Sequence, residues 1–461
     1  MKTIHSRSNR DRLNLKTAQQ NDQPNEQCDV LVVGGGPAGS TIATLLAQSG
    51  RKVVMLEKAH HPRFHIGESL LPANIGLFER LGVREQVEKI GMPKYGIEFV
   101  SPDHDHTSEV NFDEGDNPAM AYSWQVRRSE LDEVLFRNAA AHGAKTVEGC
   151  RVSDIAFDDD GATVQTQLDD GALRSWRAQF VVDASGRDTF LSARLKLKKR
   201  NTAHNSSALF AHFRNAVRLP GRKEGNISIL WFAHGWFWFI PLADGTTSVG
   251  AVCWPYYLKS RKKPLNEFFM DTIALCPKLA ERLATAVLQD DKVHATGNYS
   301  YTSSQCAGDK YLMLGDAYTF IDPMFSSGVF LAMQNAFDAV AVVNASLDQP
   351  QAAASARKAY EKAVKTGPAE FSWFIFRSTN PTIRDMFMFP KNPLGAKQGL
   401  LSLLVGDIRQ KTPIWVSLLA FKLFYYLISI GNWKRTVAGI KRRRENIRDF
   451  GQLQEENIQK V

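Results

Sequence analysis

A run of six residues, Gly34-Gly35-Gly36-Pro37-Ala38-Gly39, constrains this chain more than any other feature. It follows four apolar residues, 30–33, and opens a helical pattern over residues 40–48. A second apolar strand, 52–56, then ends at Glu57. A strand, a glycine turn, a helix and a strand closed by an acid are the context in which such a run cradles a dinucleotide instead of merely turning the chain. Gly34 allows the tight turn, Gly36 lets the backbone approach a pyrophosphate, and Gly39 permits close helix packing. Pro37 and Ala38 of the run count with the glycines as cofactor-binding residues, the helix N-terminus attracts phosphate charge, and Glu57 is placed to accept a ribose hydroxyl.

The 461 residues, 44% of them hydrophobic, suffice for two or three layers of core, so a nucleotide domain plus a substrate domain is the expected division. Five cysteines at 28, 150, 253, 276 and 306 include no Cys-x-x-Cys pair. That usage argues for a reducing compartment, hence a cytoplasmic location, and against a metal site. Residues 1–27 are polar and basic without an apolar stretch, which predicts a flexible tail and not a signal peptide. The net charge of +9 collects in that tail, at 196–200 and at 441–444. No recognition motif accompanies these runs, so they read as solvated faces and not as a nucleic-acid surface.

Beyond the first unit, periodicity predicts a helix over 73–90, strands within 96–125 and 150–183, and a helix over 130–142 between them. Asp158-Asp159-Asp160-Gly161 and Asp169-Asp170-Gly171 read as hairpin turns. Strand-rich sequence returns over 204–254, a helix spans 265–287, and a long helix runs over 328–347. The nucleotide domain is thus expected to be discontinuous, built from 28–90, 125–195 and 295–350. A sheet from 91–124 and 196–294 is inserted in it, and a helical region, 351–461, follows.

This order resembles the hydroxylase-type flavoprotein fold: an α/β, Rossmann-like FAD-binding domain carrying an antiparallel substrate sheet. Arg128 in Val126-Arg127-Arg128-Ser129-Glu130-Leu131-Asp132, Asp183 in Val182-Asp183-Ala184-Ser185-Gly186, Gly315-Asp316 in Leu314-Gly315-Asp316-Ala317, and Pro323 match its habits. With Arg63, the resemblance implies that they hold FAD. Asp316 would accept ribityl hydroxyls, and the helix starting near Gly328 would face the flavin carbonyl region.

Three elements resemble the flavin-dependent halogenases within that superfamily. Trp236-Phe237-Trp238-Phe239-Ile240-Pro241 matches their tryptophan signature, and Trp236 and Trp238 alternate on one strand, so both rings face one side and could wall flavin from substrate. Lys94, followed by Tyr95-Gly96-Ile97-Glu98-Phe99, matches the family's lysine segment downstream; upstream, Gly91 stands one residue closer than usual and Met92 replaces an aromatic. Phe320-Ile321-Asp322-Pro323-Met324-Phe325-Ser326-Ser327-Gly328 resembles the second signature, in which Ser327 and Gly328 would hold a halide at a helix N-terminus.

The resemblance implies FAD as FADH₂ supplied by a separate flavin reductase, with O₂ and chloride or bromide yielding hypohalous acid that reaches Lys94. A buried lysine suits that task because desolvation favours a neutral amine able to capture the acid. Tryptophan halogenases carry a glutamate where Phe325 stands, so an electron-rich phenol or pyrrole, free or tethered to a carrier protein, is the expected substrate. The loop Arg63-Phe64-His65-Ile66-Gly67-Glu68-Ser69 also looks more like that group. A monooxygenase or isoprenoid-type reductase without halide chemistry, and an inactive flavin-binding assembly protein, are the alternatives.

The resemblance weakens beyond residue 371, where residues 413–431 form an apolar segment nearly long enough to span a bilayer. Lys422 in its middle argues against spanning. Trp415, Trp433 and the basic residues up to 444 leave two readings: a helix covering the substrate site, or peripheral contact with the inner membrane through 413–444.

Overall fold

The computed structural model describes residues 26–458 except 202–203, 298–299 and 409–413. The tail expected over 1–27 lies outside the described residues but for Glu26 and Gln27, which already belong to the first strand.

Glu26–Val33 lies at the centre of a seven-stranded sheet because its last four residues are apolar and buried. It pairs in parallel with Val53–Leu56 on one side and Leu173–Asp183 on the other. Lys145–Val147 extends the first edge. On its far side Leu173–Asp183 carries two partners: its N-terminal half takes the hairpin Cys150–Asp158 and Gly161–Leu168, and its C-terminal end takes Tyr311–Met313 in parallel. Pro37–Gln48 packs between the helices Arg128–Ala141 and Ser327–Asp348, and apolar faces of all three join the core of this sheet.

The second sheet has Ser207–Arg214, Thr247–Cys253, Gly235–Pro241, Ile227–Phe232, Gly96–Val100 and Thr107–Asn111 in that spatial order. Its pairs are antiparallel except Ile227–Phe232 with Gly96–Val100. Side-chain alternation divides Gly235–Pro241 between two cores. Trp236, Trp238 and Ile240 enter the core that faces the first sheet and the C-terminal helices, whereas Phe237 and Phe239 pack with Phe268 and Phe269 on the other face.

Two helices expected as single are each broken. The pattern over 73–90 becomes Asn74–Leu81 and Arg84–Ile90, because Gly82 adopts φ 72° and ends the first helix in a left-handed cap. The pattern over 265–287 becomes Leu265–Ala274 and Pro277–Arg282, since Pro277 cannot continue a preceding helix. In both cases apolar spacing persists across the break, so the period alone hides it. The long helix runs Ser327–Asp348, and it is the one continuous helix among the described residues apolar and long enough to cross a membrane. It is a core element of the domain, with Met333, Ala336 and Ala339 fully buried.

The C-terminal region is helical: Pro350–Ile375, Pro381–Met388, Ala396–Val405, Ile414–Gly431 and Trp433–Ile458. Phe374, Phe387 and Phe421 bring three of these helices into the core that holds Trp236 and Trp238. The apolar segment therefore packs one of its faces on the core that holds Trp236 and Trp238. It does not continue as a straight span, because the chain turns by 104° between Ile414–Gly431 and the next helix.

Candidate active site

A cavity of about 560 Å³ runs from the glycine turn to the tryptophan strand. At its first end Gly34 has φ 100°, a conformation glycine reaches without strain, and a Cβ there would lie 2.5 Å from the Ala184 carbonyl oxygen. A Cβ on Gly39 would overlap the Gly34 carbonyl oxygen, so Gly39 sits behind the turn as a packing residue. Gly36, Pro37 and Ala38 line the cavity, and a Cβ on Gly36 would meet only Arg63, at 3.5 Å. Glu57 lines it too, but its buried carboxylate already accepts the Gly35 N–H at 2.8 Å and the Ala59 N–H at 3.0 Å. It therefore shapes the glycine turn as well as lining the cavity.

The middle of the cavity is basic above and acidic below. Arg128 donates to both oxygens of Asp132, at 2.8 and 3.1 Å, and to the Ile66 carbonyl at 2.8 Å. Arg63 reaches the same Asp132 at 3.2 Å and Glu57 at 3.6 Å. Burial pushes the Asp132 carboxyl upward, but the two guanidiniums outweigh it and hold the group below the usual carboxylate range. Opposite them burial raises Asp316 to about 6, against the pull of Arg128 and Arg187. Asp132→Ala is expected to leave two arginines without their shared acid, at a cost of about 3–5 kcal/mol, and to weaken cofactor binding; thermal melts and a flavin titration check this.

Asp183 stands apart. It is fully buried, does not line the cavity, and accepts the Ser185 and Leu191 N–H groups at 2.9 and 2.7 Å. Its role here is to fold the turn over residues 184–191, whose Ala184, Ser185 and Arg187 do line the cavity.

At the far end Trp236, Trp238 and Ile240 form one wall and Pro323, Ser326 and Gly328 another. The two indoles lie 6.2 Å apart, tilted by 56°, and Trp238 donates to Ser248 Oγ at 3.1 Å. Gly250 on the neighbouring strand makes room for the Trp238 ring, since a Cβ there would overlap it. Gly250→Val is expected to displace Trp238 and alter product distribution while FAD still binds, as product analysis beside a flavin titration would register. Ser326 has φ 54° and Asp322 caps the short turn before it, so the helix Ser327–Asp348 begins facing the cavity. Asp316 and Gly328 also line a small adjoining pocket, to which Gly315 and Ser327 belong although neither lines the main cavity.

Lys94 lies just outside the cavity lining. It is fully buried at the end of Met92–Lys94, which pairs with Ser123–Gln125, and its Nζ donates to Ser69 Oγ and the Leu70 carbonyl, both at 3.0 Å. Ser69 lines the cavity, so one hydroxyl separates the amine from it. Burial alone lowers the amine to about 7. Beside Ser69, Glu68 also lines the cavity and is bound to His212 at 2.8 Å. Glu68–His212, Arg187 and Gly250 escaped sequence reasoning because each matters through a partner distant in the chain, and Asp132 because Arg63 joins its i,i+4 pair with Arg128 from far away.

Residues 27–366 match the family model described as FAD binding domain. The chain is 35% identical over 347 residues to a flavin-dependent halogenase, gsfI, from Penicillium aethiopicum, an alignment covering 69% of this chain and 65% of the relative. It is 30% identical over 408 residues to the 1H-pyrrole-2-carbonyl-(peptidyl-carrier protein) chlorinase of Pseudomonas fluorescens, covering 82% of this chain and 89% of that one. The chain belongs to the flavin-dependent halogenases. Among solved structures the myxobacterial chondrochloren halogenase CndH superposes with a TM-score of 0.74 at 30% identity, over 84% of this halogenase and 92% of that chain. The cofactor of this halogenase is FAD, and the cavity fits it: a glycine turn open at Gly36, basic groups at mid-length, and aromatic walls at the far end.

Proposed function

We propose that this protein halogenates an electron-rich aromatic ring of the phenol or pyrrole type, using FADH₂ from a separate reductase, O₂, and chloride or bromide. The observation that carries the reading is Lys94: a lysine buried without exposure, held by a hydroxyl and a carbonyl, one residue behind the cofactor cavity. A purely structural lysine at such a place is costly, and its lowered pKa makes a neutral amine available near neutral pH.

When bound, reduced FAD supplies the electrons that activate O₂ for halide oxidation. Gly34, Gly36, Glu57, Arg63 and Arg128 would hold its nucleotide half and Asp316 its ribityl hydroxyls, and Pro323 lines the same cavity. The N–H groups of Ser327 and Gly328, at the start of a 22-residue helix, hold the halide. Trp236 and Trp238 separate that space from the substrate side and exclude bulk water. Lys94 captures hypohalous acid at Nζ and passes the halogen to the ring, which gives up a proton in exchange.

Phe325 supports the choice of substrate. It is buried at the position where tryptophan halogenases place a glutamate, so the ring must contribute its own electron density. The pyrrole-carrier chlorinase relative makes a carrier-tethered ring a natural member of the test panel.

The experiment offers phenols and pyrroles, free and carrier-bound, to the FAD-loaded protein with a flavin reductase, O₂, bromide and catalase. A bromine isotope doublet in the product mass spectrum, absent in Lys94→Ala, is expected. A product with one added oxygen and no halogen would mean a monooxygenase, and turnover indifferent to Lys94→Ala would overturn the role given to that residue.

A further inference from the structure

The helix Ile414–Gly431 is apolar on two opposite faces. Leu418, Phe421 and Tyr425 point inward and are buried, with Phe421 packed on Phe374 and Phe387. Leu419, Leu423, Tyr426 and Ile430 recur at helical spacing on the outer face, 47% to 71% exposed. Exposed Trp415 and Trp433 stand at the two ends of this stripe, and Val437 and Ile440 continue it onto the following helix. A helix at the surface of a water-soluble domain ordinarily turns a polar face outward, and a contiguous apolar stripe marks an interaction site.

Charge identifies the partner. Between residues 413 and 444 there are Lys422, Lys434, Arg435, Lys441, Arg442, Arg443 and Arg444, and no Asp or Glu. Lys422 is paired with Glu370 and the half-exposed Arg435 with Asp385, while Lys441 stands 4.0 Å from Glu445 at the surface. Lys434, Lys441 and Arg444 are exposed beside the stripe. We propose that the outer face of Ile414–Gly431 and the start of Trp433–Ile458 dock on an anionic lipid bilayer. Tryptophans at the ends of the stripe suit the headgroup boundary, and the flanking cations suit anionic headgroups. The helix lies flat on the bilayer instead of crossing it, because its inner face is packed, Lys422 is tied to Glu370, and the chain turns by 104° after it. A second copy of the chain is the poorer partner. Pairing the stripe with itself side by side would set the exposed Lys434, Lys441 and Arg444 of one copy against those of the other.

Docking is independent of the reaction proposed above, and its test reads binding alone. FAD-loaded protein is sedimented with phosphatidylcholine vesicles and with vesicles containing phosphatidylglycerol. Binding is expected to the anionic vesicles at low salt and to weaken in high salt. Leu419→Gln with Leu423→Gln, and separately Lys434→Ala with Lys441→Ala, should each lower it about tenfold while the bound-flavin spectrum is kept. Three results would overturn the proposal: no association with anionic vesicles at low salt, association unchanged in both variants, or a wild-type dimer in sedimentation velocity that ignores vesicles and dissociates in the leucine variant.

Discussion

Replacing Lys94 by methionine is expected to yield a folded, FAD-loaded protein whose halogenation rate has fallen about 10³-fold. The same substitution should leave stability at pH 7 unchanged or higher. Burial lowers the amine to about 7, whereas in the unfolded chain it titrates near 10.4. Between these values the unfolded chain holds a proton that the folded protein lacks, so wild-type stability rises with pH across this window. Below it the folded protein carries a buried cation, at a penalty on the order of 3–5 kcal/mol before its hydrogen bonds to Ser69 and Leu70 are credited. Methionine removes both the penalty and the bonds, and urea titrations at pH 6.5 and 9 should lose the wild-type slope. If the neutral amine is the working form, the rate should climb through an apparent pKa near 7. A Lys94→Met protein that retains activity would remove the central element of the proposed function.

Gly39→Val is expected to destroy cofactor binding by the opposite route, through the fold. Because a Cβ at this position overlaps the Gly34 carbonyl oxygen, the helix Pro37–Gln48 has to retreat from the first strand or the turn has to open. Either costs more than about 4 kcal/mol, in the range where single substitutions unfold domains. Gly36→Ala is the companion. It meets only the far end of Arg63, so the protein should fold with a near-normal melting temperature and bind FAD about tenfold or more weakly, as its methyl fills the approach reserved for phosphate. Flavin titrations beside thermal melts distinguish the two. Equal behaviour of both variants would contradict the division of labour between packing and approach.

What could be read from the sequence follows the range of the interactions involved. The glycine turn depends on neighbours within one strand, turn and helix, and the alternation of Trp236 and Trp238 depends on a period of two. Both are local, and the structure puts these residues on one cavity. The breaks at Gly82 and Pro277 are also local, yet the apolar period ran through them and outweighed the punctuation. Asp183 looked like a cofactor ligand because of its motif, whereas its two backbone partners, Ser185 and Leu191, occupy it with the turn. That Lys94 lies behind Ser69, that Arg63 joins the i,i+4 pair of Arg128 and Asp132, and that Gly250 houses an indole are facts of tertiary contact, with no periodic or compositional trace in the chain.

The strip bearing Lys94 and the strand bearing the tryptophans belong to separate sheets clasped at one point. Tyr95 alone separates Met92–Lys94 from Gly96–Val100, its N–H is held by Asn226, and the Gln125 side chain grips the Gly225 carbonyl. Gly225 itself has no room for a methyl against the Pro93 carbonyl. The spacing between the amine and the indole wall is thereby fixed from outside the cavity, by the turn that leads into Ile227–Phe232. Residues 225 and 226, which do not line the cavity, are thus the place from which a single substitution would move the amine and the indole wall relative to each other.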